Sequence, residues 1–203
     1  MKVNQKTISY LIPIAFIHLI LVAFVVSIKI LKPFQIPLIA NYTLNFLIES
    51  TYLIVIIYLS YVLTYLNEKR FITIVFQIYA ATGLLSFIRN LLVEPSINEA
   101  YFFISFILLI VVICFIIQLF KIKNPVIAPY FKLLALTMLF STLFSVIGPI
   151  LMVMHYVGRS VLIYIKVSDL LPPGIIILIL YKTSIYLTGQ QILFKQANIN
   201  ESN

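Results

Sequence analysis

Charge is what this chain has least of. Only 10% of its 203 residues are Asp, Glu, Lys or Arg, where a soluble globular domain carries about a quarter. Asp169 is the single aspartate, which excludes metal-dependent prenyl-transfer chemistry built on aspartate clusters. Cys114 is the single cysteine, so no internal disulfide can form, and in its apolar run it reads as a small buried hydrophobe. The two histidines, His18 and His155, lie far apart with no cysteine pair, which argues against a zinc or haem site. No metal ligand set and no cofactor is expected. There is no Gly-x-Gly-x-x-Gly, no P-loop, no Gly-x-Ser-x-Gly and no His-Glu-x-x-His, and no stretch resembles a kinase, a DNA-binding module or another soluble output domain. Tryptophan is absent, so any aromatic belt at a membrane surface has to come from the 13 tyrosines.

What is present is apolar. Hydrophobic residues make up 63% of the chain and the mean hydropathy is +1.13, which places it among membrane proteins. The net charge of +8 does not point to nucleic acid, because the basic residues stand singly or in pairs between apolar runs, as charges flanking membrane spans do.

Apolar runs longer than about 18 residues read as transmembrane helices. Six occur, at about 9–31, 41–66, 71–93, 100–120, 130–154 and 160–186. The expected fold is therefore all-α: one polytopic membrane domain over 1–203, a bundle of six transmembrane helices. The first run follows Lys2 and Lys6, as in a signal peptide, but it is longer than the roughly 7–15 residues of a cleavable segment, so it reads as a retained span. With the N-terminus inside, eight basic residues (Lys2, Lys6, Lys69, Arg70, Lys121, Lys123, Lys182, Lys195) fall on the inner side and four (Lys29, Lys32, Arg89, Arg159) on the outer, which favours two cytoplasmic termini. The spacing Lys29-x3-Pro33-x3-Pro37 recurs as Lys121-x3-Pro125-x3-Pro129, and Gly83 and Gly174 stand at nearly the same offset. Three spans per half would make an inverted-topology repeat, as in many transporters, although lysines and prolines also coincide by chance in short loops.

The few ionisable groups within the spans fall to one side. By helix rise, Glu49 lies roughly 10 Å below the outer end of the second span. Arg89 is near the outer end of the third, Lys166 and Asp169 are in the outer half of the sixth, and His155 and Arg159 stand at the outer mouth between the last two. At 100° per residue, Tyr42, Asn45, Glu49 and Tyr52 form one stripe, Thr82, Ser86 and Arg89 a second, and Lys166, Asp169 and Pro173 a third. Lipid cannot solvate such groups, so they are expected to face the bundle interior or a wet cavity. Pro172-Pro173-Gly174 is expected to break the sixth span near the bilayer centre, and Gly148-Pro149 the fifth, as in the discontinuous helices that form substrate sites. A purely structural account stands beside this one: Lys166 and Asp169 would neutralise each other, Glu49 would pair with Arg89, and His18 would be a hydrogen-bonded interior residue.

The expected ligand-binding residues are Glu49, Arg89, Lys166, Asp169, Asn45, Tyr52, His155 and Arg159, around a pocket open to the outside. The first function this predicts is binding or transport of a small or amphipathic solute. A ligand-sensing or accessory domain working with a partner membrane subunit or as a homo-oligomer is the second, and an intramembrane enzyme acting on lipid the third. The expected location is the plasma membrane, the inner membrane of a bacterium, with the bilayer itself the first partner. In its size of six helices, its inside termini and its outward-facing polar pocket, the expected bundle resembles the substrate-binding subunits of energy-coupling-factor vitamin transporters. The resemblance is architectural and rests on no motif. Those subunits carry Ala-x-x-x-Ala in the first helix, whereas Ala15 is followed here by Leu19. No functional residue follows from it.

Overall fold

The structure, a computed structural model, describes residues 3–31, 37–92, 99–153 and 166–201. Among them are six α-helices and no strand. Helix α1 spans Gln5–Leu31, α2 Leu38–Tyr65, α3 Arg70–Leu92, α4 Glu99–Phe120, α5 Ala128–Val153 and α6 Leu171–Glu201.

Local chemistry sets the helix ends. The Asn4 side chain accepts a hydrogen bond from the Thr7 backbone N–H at 2.8 Å, an N-cap that starts α1 four residues before the apolar run at residue 9. At the other end of α2, Asn67 adopts a left-handed φ of 55°. Its N–H donates to Thr64 O and that of Glu68 donates to Leu63 O, the paired bonds that close a helix C-terminus. Asparagine tolerates this conformation better than most residues, so a tight turn into α3 forms without glycine.

The helices form a closed ring. Each packs against its neighbours in sequence, and α1 packs against α6 to close the circle. Chain direction alternates around the ring, so α1, α3 and α5 begin at one end, here called the base. The basal half is solid. Tyr58, Leu59 and Leu63 of α2, Ile72 and Phe76 of α3, Phe115 and Leu119 of α4, Phe131 and Leu134 of α5, and Ile179 and Leu180 of α6 are fully buried there. At its centre Phe76 meets Phe115 edge-on, with centroids 4.6 Å apart, and Phe131 at 6.0 Å, so one ring ties α3, α4 and α5 together.

The outer surface of the ring is apolar too. Phe16, Ile20, Phe24, Phe103, Phe106, Phe140 and Leu143 are among many large side chains left exposed, more apolar surface than a soluble monomer presents. Four helical segments are long and apolar enough to cross a membrane: Gln5–Ile28, Ala40–Tyr65, Phe103–Phe120 and Lys166–Gly189. They point to a membrane protein.

Of the two expected helix breaks, the one in the fifth span needs correction. The backbone of α5 is helical through Gly148 and Pro149, a site where a proline ring costs one hydrogen bond without ending the helix. The sixth span does break at this point, just ahead of the prolines: residues 166–168 are helical, residues 169 and 170 form a turn, and Pro172 and Pro173 lie in the first turn of α6. The N–H groups of a first turn have no intrahelical acceptor, so two prolines cost little there and fix where the helix starts. At the break the chain turns through Asp169 N–H to Lys166 O and Leu170 N–H to Val167 O. Cys114 is exposed on the outer face of α4 rather than buried. That face needs an apolar side chain as much as the core does, so hydropathy alone could not separate the two. The first copy of the Lys-x3-Pro-x3-Pro spacing lies mostly outside the described residues.

A candidate binding cavity inside the helix ring

Above the solid base the ring encloses a cavity of about 570 Å³, and every helix contributes to its lining. It falls within the 300–1,000 Å³ typical of small-molecule pockets. From α1 come His18 and Val22; from α2, Ile48, Glu49 and Tyr52; from α3, Tyr79, Thr82, Gly83 and Ser86. From α4 come Leu108 and Val112; from α5, Met138, Ser141 and Thr142; and from α6 and the turn before it, Asp169, Pro172 and Pro173. The spacing 79, 82, 83 and 86 is one face of a helix, which is how α3 delivers four residues to one surface.

Aromatic groups join four of the helices along the cavity. His18 stacks on Tyr52 with centroids 5.1 Å apart. The Tyr52 and Tyr79 hydroxyls share a hydrogen bond of 3.0 Å, and Tyr79 stacks on Phe115 at 3.9 Å. His18 is buried, and its Nδ1 lies 3.2 Å from Ile48 O and 3.1 Å from Thr51 Oγ1. A carbonyl only accepts, so Nδ1 carries the proton in that bond. His18 thus has the interior, hydrogen-bonded role expected of it and also lines the cavity.

Both carboxylates of the polar stripes reach this space. Asp169 accepts a 2.7 Å hydrogen bond from Ser141 Oγ, which anchors it to α5. Its position just ahead of α6 sets it near the positive end of that helix dipole. Glu49 leans across to α3, where it depends on Gly83: a Cβ at that position would come 3.0 Å from Glu49 Oε2. Close approach of a side chain, not backbone conformation, is what favours glycine there. Gly174, its counterpart in the proposed repeat, has open space around it.

The other expected residues divide. Tyr52 lines the cavity. Asn45 is half-buried one turn nearer the open end and donates a long 3.5 Å hydrogen bond to Asn41. Lys166 is exposed and does not line the cavity, so the helix face shared with Asp169 ends at the turn between them. Arg89 belongs to α3, but its side chain lies outside the described residues, as do His155 and Arg159. Tyr79 was legible as the continuation of the Thr82–Ser86 stripe. Ser141 was not, because its partner is 28 residues away and nothing in the run around it marks the pairing.

Chemically, the described lining offers two carboxylates, several hydroxyls and aromatic edges, with no lysine or arginine. Such a surface offers several hydrogen-bond acceptors. Among the described residues no group of three or more histidine, cysteine or acidic side chains comes together to hold a metal ion. The fold and this cavity define an all-helical ring around a mostly apolar chamber that holds two carboxylates. Comparison with family models, with curated proteins and with solved structures found no match to the chain.

Proposed function

We propose that this is a multi-pass protein of the bacterial inner membrane that binds a small or amphipathic solute in the ring cavity and carries it across the bilayer. In this reading all six helices cross the membrane, both termini are cytoplasmic, the cavity occupies the outer half and the two halves of the chain are inverted repeats. The observation that carries the reading is a chamber lined from every helix and holding both Glu49 and Asp169. Carboxylates inside an apolar helix ring are costly to insert, and they mark substrate paths far more often than packing sites. The solid base beneath the chamber is what a binding protein in one state of an alternating cycle would have.

The lining chemistry favours a solute with an amine or another cationic group. The test is uptake of radiolabelled amines into proteoliposomes, with matched carboxylates as controls. Asp169→Asn keeps an acceptor for Ser141 and removes the charge. Loss of a charge-assisted hydrogen bond should weaken amine binding by about 10- to 100-fold. Unchanged uptake in Asp169→Asn would remove this role for the cavity. Tight binding with no uptake would assign the protein to sensing or to an accessory role instead.

A further inference from the structure

A second concave surface lies at the base, on the outside of the ring where α3, α4 and α5 meet. It is a groove of about 1080 Å³, and four lysines line it: Lys69, Lys121, Lys123 and Lys132. All four are exposed, and no acidic side chain lines the groove among the described residues. They come from the α2–α3 turn, the α4–α5 loop and the second turn of α5. The two connections are held together by Glu68, whose Oε1 accepts hydrogen bonds from the backbone N–H of Lys123 at 2.9 Å and of Asn124 at 2.7 Å. That clamp places Lys69 beside Lys121 and Lys123. Helix dipoles add little here, because α3 and α5 begin at this end of the ring while α2 and α4 end there, two positive ends against two negative ones. The lysines carry the field.

We infer that this groove binds an anionic phospholipid, with its phosphate among the four lysines and its acyl chain along the exposed Phe71 and Phe120 side chains. The order of chemistry along the groove favours this occupant. Lys69 precedes α3 and Lys121 follows α4, while Phe71 and Phe120 stand one or two residues further into the same helices, exposed by 60% and 40%. Charge at the helix end followed by outward-facing aromatic surface matches a headgroup followed by hydrocarbon. A water-soluble acidic partner would have use for the first and none for the second. Basic pockets between membrane helices recognise anionic headgroups by the same attraction. The inference rests on membrane residence and is independent of what the ring cavity binds.

The experiment uses the full-length protein in detergent with an equimolar mixture of dioleoylphosphatidylglycerol and dioleoylphosphatidylcholine, the retained lipid being counted by native mass spectrometry. The expected result is roughly a tenfold preference for the anionic lipid, given the strength of lysine–headgroup attraction. The variant carrying Lys69→Gln, Lys121→Gln, Lys123→Gln and Lys132→Gln should retain the two lipids equally. The same four positions changed to arginine should keep the preference, which separates charge from loss of fold. Equal retention by the unsubstituted protein overturns the proposal, as does a preference that survives all four glutamines. Displacement of the lipid by millimolar inorganic phosphate would make this a free-anion site and also overturn it. So would a polyglutamate peptide that binds through these lysines while phosphatidylglycerol is not enriched, which would assign the groove to an acidic protein.

Discussion

At the scale of single residues, the cavity depends on contacts that join side chains far apart in sequence. Glu49 and Gly83 illustrate the point. The carboxylate lies close enough to Gly83 that a methyl group there would press on it. In Gly83→Ala the new methyl would meet the far end of a flexible side chain, so the fold should tolerate it: the melting temperature is expected to fall by no more than the equivalent of about 1 kcal/mol. The carboxylate, however, has to move. Amine binding in the cavity should weaken several-fold while helicity is retained, and parallel thermal melts and uptake assays will check both. Binding equal to that of the unsubstituted protein would mean that the position of Glu49 is immaterial. The stripe of Glu49 and Tyr52 and the stripe of Thr82 and Ser86 were legible at this scale, because helical periodicity alone puts them on common faces. The Asp169–Ser141 bond was not, since no local pattern tells a helix which partner its neighbour will present.

At the scale of elements, capping and turn chemistry decided more than hydropathy. The apolar run of α1 begins near residue 9, yet Asn4 starts the helix earlier by satisfying an N–H that would otherwise lack a partner. The Pro-Pro-Gly of the sixth span has two opposite meanings in sequence, a break or a beginning. The structure has both: the helix at residues 166–168 ends in a turn, and a new helix begins with the prolines in its first turn, where they give up N–H groups that have no acceptor in any case. This also explains how the turn at residues 169 and 170 directs Asp169 inwards and leaves Lys166 exposed. The clamp at Glu68 ties two connections that are more than fifty residues apart. In Glu68→Ala two backbone N–H groups lose their acceptor, one of them half-buried, at an expected cost of about 1–3 kcal/mol. Unfolding by SDS titration should show that loss, while Glu68→Gln, which keeps an accepting oxygen, should recover part of it. No change in either variant would mean that the loops hold together without the carboxylate.

At the scale of the whole molecule, an apolar exterior, a solid base and a chamber that gathers two carboxylates follow from one arrangement. Six helices in a ring have inner and outer faces, and both are largely apolar, which is why periodicity within each helix is weak and the burial of Cys114 was misread. Its exposure gives a direct check on the surroundings of the ring. If lipid covers the outer face, Cys114 in proteoliposomes should react with a membrane-permeant maleimide and resist a charged, water-soluble thiosulfonate. Rapid reaction with both reagents would mean that water reaches the middle of α4, and the membrane-spanning role of that helix would fall.

The sequence by itself determined that the chain is helical and rich in long apolar segments, and that Glu49 with Tyr52 and Thr82 with Ser86 lie on common helix faces. Those properties depend on neighbours within a few residues, through helix periodicity, capping and the cost of placing polar groups among apolar ones. The tertiary structure alone decided that α1 closes against α6, that Glu49 and Asp169 face one chamber while Lys166 does not, and that lysines from two distant connections surround one groove. Each of these depends on how a helix is rotated about its axis against a partner far along the chain, and when both faces of a helix are apolar, only the packing of the complete ring fixes that rotation.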